Sequence, residues 1–261
     1  MGDYGPVAPT LHSAPDSPVH PQPAPREISV LITGFGPFRT NFVNASYLIA
    51  SSLPSSFSFP SPKGDHDRRV SLHVHPTPIP VAYATVREAL PAILKDYAAA
   101  HGHRPDIVLH IGMASNRPYY SVESTAHRDD YNLTDIDGRI GFEDGEKRWK
   151  ELGLPPTLTP GPKPEGKEGP YPPNDHFLET WRSLAPAETD LRISDDPGHY
   201  LCDFIFYTSL SLALMEGRDR NVVFLHVPAA SSDADIDLGR NIALALIKTL
   251  VTCWIDEKNS T

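Results

Sequence analysis

The chain has 261 residues, enough for one substantial core, and its 39% hydrophobic and 21% charged residues are ordinary for a globular protein. A formal net charge of -10 repels phosphate backbones, and no Lys/Arg cluster interleaved with aromatics offsets it, which argues against nucleic-acid binding. No stretch reads as the roughly 20 apolar residues that a bilayer span needs, and the N-terminus lacks the basic-then-apolar order of a secretory signal, so the expectation is a cytoplasmic protein without membrane contact.

Residues 1–26 carry seven prolines among small and polar residues, a composition that cannot offset ordering entropy and predicts a disordered tail. A single domain is expected over 27–261. ISVLITGF reads as a buried strand, and a short helix begins near Ala45 and Ser46. RVSLHVHPTPI, with Val70, Leu72 and Val74 on one face, reads as a half-buried strand. Helical spacing returns from Ala82 to about Ala100, with Pro91 as an expected kink, and DIVLHIGM follows as a buried strand. Prolines, glycines and lysines then dominate Leu154 to Pro173, which reads as a surface insertion within a longer Pro/Gly-rich insertion around 147–187. Beyond it come a short strand in DLRIS and a helix from Tyr200 to Met215 introduced by DDPG. NVVFLHVP is the clearest strand. A final helix spans Ile236 to Asp256 with Ile242, Leu246, Leu250 and Cys253 on its apolar face. Strands separated by helices predict a three-layer α/β/α sandwich around a largely parallel, doubly wound sheet.

In such sheets ligands collect beyond the carboxyl ends of the strands. GFGPF at Gly34 to Phe38, GMASNRP at Gly112 to Pro118, GHYLCDF at Gly198 to Phe204, and His226 all follow strands or open a helix. Cys202 is placed in the first turn of a helix, where free N–H groups and the dipole favour a thiolate and lower its pKa. The plain alternative is a small hydrophobe packed under a turn. His226 ends an apolar run and needs hydrogen-bond partners, either as a satisfied core histidine or as the base for a thiol nucleophile. Glu123 can hold an imidazole in its productive tautomer, although glutamates are usually solvated; Asp203 is its rival, with a side chain expected to point away from Cys202. The two phenylalanines of GFGPF suggest either an apolar slot or a pair of core anchors. Neither cysteine has a paired metal-ligand spacing, so no metal or other cofactor is expected.

These residues carry a resemblance. VLITGFGPF followed by Asn44-Ala45-Ser46, IPVAY, VLHIGMA with Glu123 ten residues beyond Met113, GHYLCDFIFYTSL, and VVFLHVP followed by LGR resemble pyroglutamyl peptidase I, the pyrrolidone-carboxylate peptidase family. The match runs in order from about Ser29 to Leu250. The resemblance implies an α/β/α fold and a Cys-His-Glu triad of Cys202, His226 and Glu123. It implies removal of an N-terminal pyroglutamyl residue from peptides without a metal. Phe35 and Phe38 would then hold the lactam ring, with Asn44, Met113, Tyr200 and Leu201 lining the pocket. Bacterial members carry glutamine at the Met113 position and a glycine pair at Ala114-Ser115. Two other readings are a catalytically silent relative that binds peptide N-termini and a thiol amide hydrolase of different acyl specificity. The sequence leaves the oligomeric state open.

Overall fold

A computed structural model of the chain describes residues 1–2, 27–38, 41–61 and 67–257. All but the first two residues of the expected N-terminal tail lie outside the described residues. The strands are β1 (Ile28–Gly34), β2 (Ser56–Pro60), β3 (Asp67–Val74), β4 (Ile107–Met113), β5 (Tyr120–Glu123), β6 (Ala126–His127), β7 (Thr157–Leu158), β8 (Leu191–Ser194) and β9 (Val222–Val227). The helices are α1 (Ala45–Ser51), α2 (Tyr83–His101), α3 (Lys147–Glu151), α4 (Asp175–Leu184), α5 (Leu201–Met215) and α6 (Asp233–Leu250).

Among the described residues, seven strands form one sheet in the order β2-β3-β1-β4-β9-β5-β8. Its centre is parallel, with β1 against β3 and β4, and β4 against β9. Edge strand β2 is antiparallel to β3, and β5 is antiparallel to β9 but parallel to β8. The sheet is thus mixed and mostly parallel. Strands β1 and β9 are buried at every residue because helices cover both faces, which is why their sequences are near-continuous apolar runs.

Alternation along β1 feeds two cores. Val30 and Ile32 join Ile49 of α1, Trp181 of α4 and Leu246 of α6 on one face. Leu31 joins Leu90 of α2, Trp149 of α3 and Phe204 of α5 on the other. This is the three-layer sandwich expected from the sequence.

Helix α6 starts at a capping box, with Ser232 and Asp235 each satisfying the other's backbone N–H, and it continues as a π-helical segment from Val251 to Asp256. Contrary to the sequence expectation, Asp233–Asp256 is long and apolar enough by length and composition to cross a membrane. Its apolar face is spent elsewhere: Ile242, Leu246, Leu250 and Cys253 all pack in the core. Pro91 sits inside α2 without ending it.

The insertion around 147–187 is partly built into the fold, and its surface stretch from Leu154 to Pro173 sends Leu154 and Leu158 into the core. It builds α3, β7 and α4, and β7 pairs antiparallel with β6. Trp149, Leu154 and Leu158 are buried in one core and Phe177 and Trp181 in the other. Trp181 Nε1 also donates to the Ile242 carbonyl at 3.3 Å. Prolines and glycines dominate the composition there and conceal these anchors.

Helix α1 lies hard against the end of β1. An ideal Cβ built on Gly34 would come within 2.7 Å of Tyr47 Cα and 2.9 Å of the Ser46 carbonyl oxygen, both backbone atoms that cannot swing aside. Gly34→Ala is expected to cost about 1–3 kcal/mol, the usual range for overpacking. Urea denaturation should show this as a lower midpoint with an unchanged slope.

Candidate active site

The end of β9 carries His226, and its strand neighbours decide what surrounds it. Gly112 of β4 stands beside it on one side and Ser121 of β5 on the other. Side chains two apart on a strand share a face, so Ser121 and Glu123 project on the same side as His226. His226 Nδ1 and Glu123 Oε1 are 2.7 Å apart. The same carboxylate oxygen accepts from Arg117 Nη1 at 2.8 Å and from the Ser121 hydroxyl at 3.1 Å. Arg117 is itself anchored by donating to the Asp196 carbonyl at 2.5 Å.

Glu123 is fully buried and His226 nearly so. Burial alone would raise the Glu123 pKa, but the hydrogen bond and charge of His226, followed by Ser194 and Arg117, hold it below the usual value. An ionised Glu123 accepts only, so Nδ1 is assigned as the protonated nitrogen and Nε2 is left to exchange a proton.

Cys202 is the second residue of α5. The Tyr200 side chain makes no capping hydrogen bond at this helix start, so the first-turn N–H groups remain without a side-chain cap. The thiol lies over Gly112: an ideal Cβ there would be 2.9 Å from Cys202 Sγ and 2.4 Å from Phe224 Cζ. Glycine at 112 therefore makes room for the sulfur beside the strand position that faces His226.

The expected lowering of the Cys202 pKa is not found. Burial, followed by the negative charges of Glu123 and Asp203, pushes the thiol up to about 12, with Arg117 opposing. The helix N-terminus is too weak to outweigh removal from water and two nearby carboxylates.

A cavity of about 90 Å³ opens beside the thiol. It is lined by Phe35, Phe38, Asn44, Met113, Tyr200, Leu201 and Cys202, together with Asn41, Val81 and Ser115. Every pocket residue expected from the sequence is therefore in one place. Asn44 holds the loop that carries the phenylalanines, donating to the Gly36 carbonyl at 2.8 Å while its carbonyl oxygen accepts from Ser46 N at 3.1 Å and Ser46 Oγ at 2.8 Å. The Phe35 N–H donates to Ser46 Oγ at 3.0 Å. Phe35 is buried and Phe38 half-buried, with the Phe38 ring 5.2 Å from that of Tyr200. A larger cavity of about 490 Å³, lined by Pro162, Tyr171 and Cys253 among others, contains neither Cys202 nor His226.

Asp203 points away from Cys202, as its place on the helix requires. It accepts from the His127 N–H at 2.9 Å and lies 3.1 Å from His127 Nδ1. The charged stretch after Glu123 is internally paired: Arg128 makes two contacts to Asp129, at 2.8 and 3.0 Å. Among the described residues, neither it nor the stretch from 147 to 187 lines the cavity. Arg117 and Ser121 were missed by sequence reasoning. The one available signal was an arginine in the loop just after a buried strand, six positions before the carboxylate.

Comparison with known proteins follows the same lines. The family model for pyroglutamyl peptidase matches residues 28–151, which include the phenylalanine loop and Glu123. Mouse pyroglutamyl-peptidase 1 is 32% identical over 231 residues, covering 81% of this chain and 85% of the mouse protein. Pyrrolidone-carboxylate peptidase of Pyrococcus furiosus is 27% identical over 201 residues, covering 77% of this chain and 81% of its own. The solved structure of pyrrolidone carboxyl peptidase from Thermococcus litoralis superposes with a TM-score of 0.60 at 21% identity, over 85% of this chain and 94% of that one, a likeness of fold. With sequence identity extending over most of both chains, this protein belongs to the pyroglutamyl peptidase family of cysteine peptidases.

Proposed function

We propose that the protein removes N-terminal pyroglutamyl residues from peptides, with Cys202 as nucleophile, His226 as general base and acid, and Glu123 as the carboxylate that orients the imidazole. The observation that carries this reading is the buried Glu123–His226 contact at 2.7 Å, beside a thiol that opens onto an aromatic-lined cavity. The names of the family relatives support the same acyl group.

The geometry supports the following chemistry. Because the thiol is raised to about 12, it is not a preformed thiolate at neutral pH. His226 therefore takes the thiol proton as sulfur attacks the pyroglutamyl carbonyl carbon. The oxyanion that forms is met by N–H groups of the uncapped first turn of α5. Collapse of this intermediate breaks the peptide bond, and the imidazolium gives its proton to the leaving amine. Water, deprotonated by the same imidazole, then hydrolyses the thioester and restores the thiol.

Phe35 and Phe38 offer apolar faces to the flat lactam, and Asn44, fixed by its own hydrogen bonds, keeps their loop in place. An open glutamyl residue would bring charge into this slot and lose its hydration there. Met113 puts an apolar side chain on the cavity wall, so selection at that position rests on shape and not on a polar side chain. Two free cysteines suit a reducing compartment such as the cytosol.

A fluorogenic pyroglutamyl amide should be cleaved by the wild-type protein and not by Cys202→Ala. Cleavage of other N-acyl amides in preference would favour a different acyl specificity. Binding of blocked peptides without turnover would favour a silent relative. Glu123→Gln should keep the fold while lowering kcat at least about 100-fold, within the range that a positioned acid-base group contributes. Gly112→Ala should also lower kcat, because its methyl group would displace Cys202 Sγ and the Phe224 ring. A thiol with a raised pKa carries less thiolate at neutral pH and gains it as pH rises. Inactivation by iodoacetamide, followed as loss of turnover, should accelerate continuously to pH 9; a plateau near neutrality would mean a preformed thiolate.

A further inference from the structure

A second group of chemistry-bearing side chains lies beside the site and touches the peptidase reading only through the charge of Asp203 on the Cys202 thiol. Asp203 occupies the first turn of α5 and is wholly buried, yet it faces two histidines, His127 from a distant part of the chain and His199 four residues before it. His127 comes from β6, and His199 from the turn before α5. Oxygen Oδ1 of Asp203 accepts the His127 backbone N–H at 2.9 Å, which fixes the carboxylate. Oxygen Oδ2 is 3.1 Å from His127 Nδ1 and 3.8 Å from His199 Nδ1. The two imidazole rings stand 5.2 Å apart, and one ligand atom from each of the three residues lies within 4.8 Å of the other two.

These spacings suit a metal ion. Bonds of about 2.0–2.2 Å from zinc to nitrogen and oxygen place tetrahedral ligands roughly 3.3 Å apart. His127 and Asp203 already stand at that separation. His199 Nδ1 is about half an ångström too far from Asp203 Oδ2 and must also close on His127, but its side chain is 45% exposed and has room to swing. Its Nδ1 now lies 3.1 Å from the Asp129 carbonyl oxygen, a contact at the surface that water can replace. Asp195 and Asp196 add negative charge near His127, which favours a cation there. Two imidazoles and one carboxylate are a donor set for zinc-class divalent ions rather than for calcium or magnesium. The backbone N–H on Oδ1 is the kind of outer hydrogen bond that orients a ligating carboxylate.

We propose that His127, His199 and Asp203 form a binding site for one zinc-class divalent cation, with solvent completing its coordination. The bound ion ties β6 and the turn that carries His199 and Tyr200 to the first turn of α5, next to Cys202. The site is separate from the thiol and imidazole of the peptidase chemistry. Its failure would leave that chemistry untouched.

Zinc titration of the full-length protein against a chromogenic chelator at neutral pH tests this. Four proteins are compared: wild type, Cys202→Ala, His199→Asn and His176→Gln, the last marking the separate group of His176, Cys253 and Glu257. The expected result is one tight equivalent in wild type, Cys202→Ala and His176→Gln. His199→Asn should bind at least about tenfold more weakly, the smallest loss typical even of outer partners of a metal ligand. Its metal-free melting temperature should match the wild type, because His199 is at the surface. The proposal is overturned by an absence of tight binding in wild type, by wild-type affinity in His199→Asn, or by loss of the equivalent in Cys202→Ala or His176→Gln.

Discussion

The contact between Glu123 and His226 constrains everything around it. A carboxylate with no exposure to water is costly unless its charge is met, and here one oxygen receives an imidazole, a guanidinium and a hydroxyl. That arrangement needs β5 to enter the sheet antiparallel to β9, because this pairing sets Ser121 opposite His226 and Glu123 one step beyond on the same face. The reversal of β5 in a mostly parallel sheet is thus the topological feature that gives the histidine its partner. Arg117 ties the same carboxylate to the segment that leads into α5, so the histidine and the cysteine are held by one connected set of bonds.

Small residues define where the reacting groups meet. Gly34 lets α1 close on β1, and Ser46 and Asn44 at the start of that helix then pin the loop with Phe35 and Phe38. Gly112 opens the surface of β4 to the sulfur of Cys202. Neither glycine does chemistry, and each fixes the position of groups that do. The cavity is consequently lined from four separate parts of the chain, the ends of β1 and β4, the segment before α2, and the start of α5.

Much of this was legible in the sequence because the central strands are unbroken apolar runs, α5 is apolar nearly all round and α6 has a clear apolar face. The pocket residues were legible only through resemblance; GFGPF alone could equally have been a pair of core anchors, and Phe35 is in fact buried while also lining the cavity. Strand β5 escaped notice since YSVE is short and half polar, and its polar members are the ones that serve His226. Trp149, Phe177 and Trp181 were concealed by the prolines and glycines around them. The Cys202 pKa was misjudged for a different reason: position on a helix can be read from spacing, whereas burial and the approach of Glu123 depend on the tertiary fold. The arrival of His127 beside His199 and Asp203 has the same origin: the latter two are four residues apart, but only the tertiary fold brings His127 to them.

The central claim is that the scissile acyl group passes through the sulfur of Cys202. The most direct measurement is acid quenching during turnover of a pyroglutamyl amide, followed by intact mass and peptide mapping. An adduct of one pyroglutamyl acyl group on the peptide that contains Cys202 is expected. An adduct on Cys253, or undiminished turnover by a protein lacking the Cys202 thiol, would contradict it.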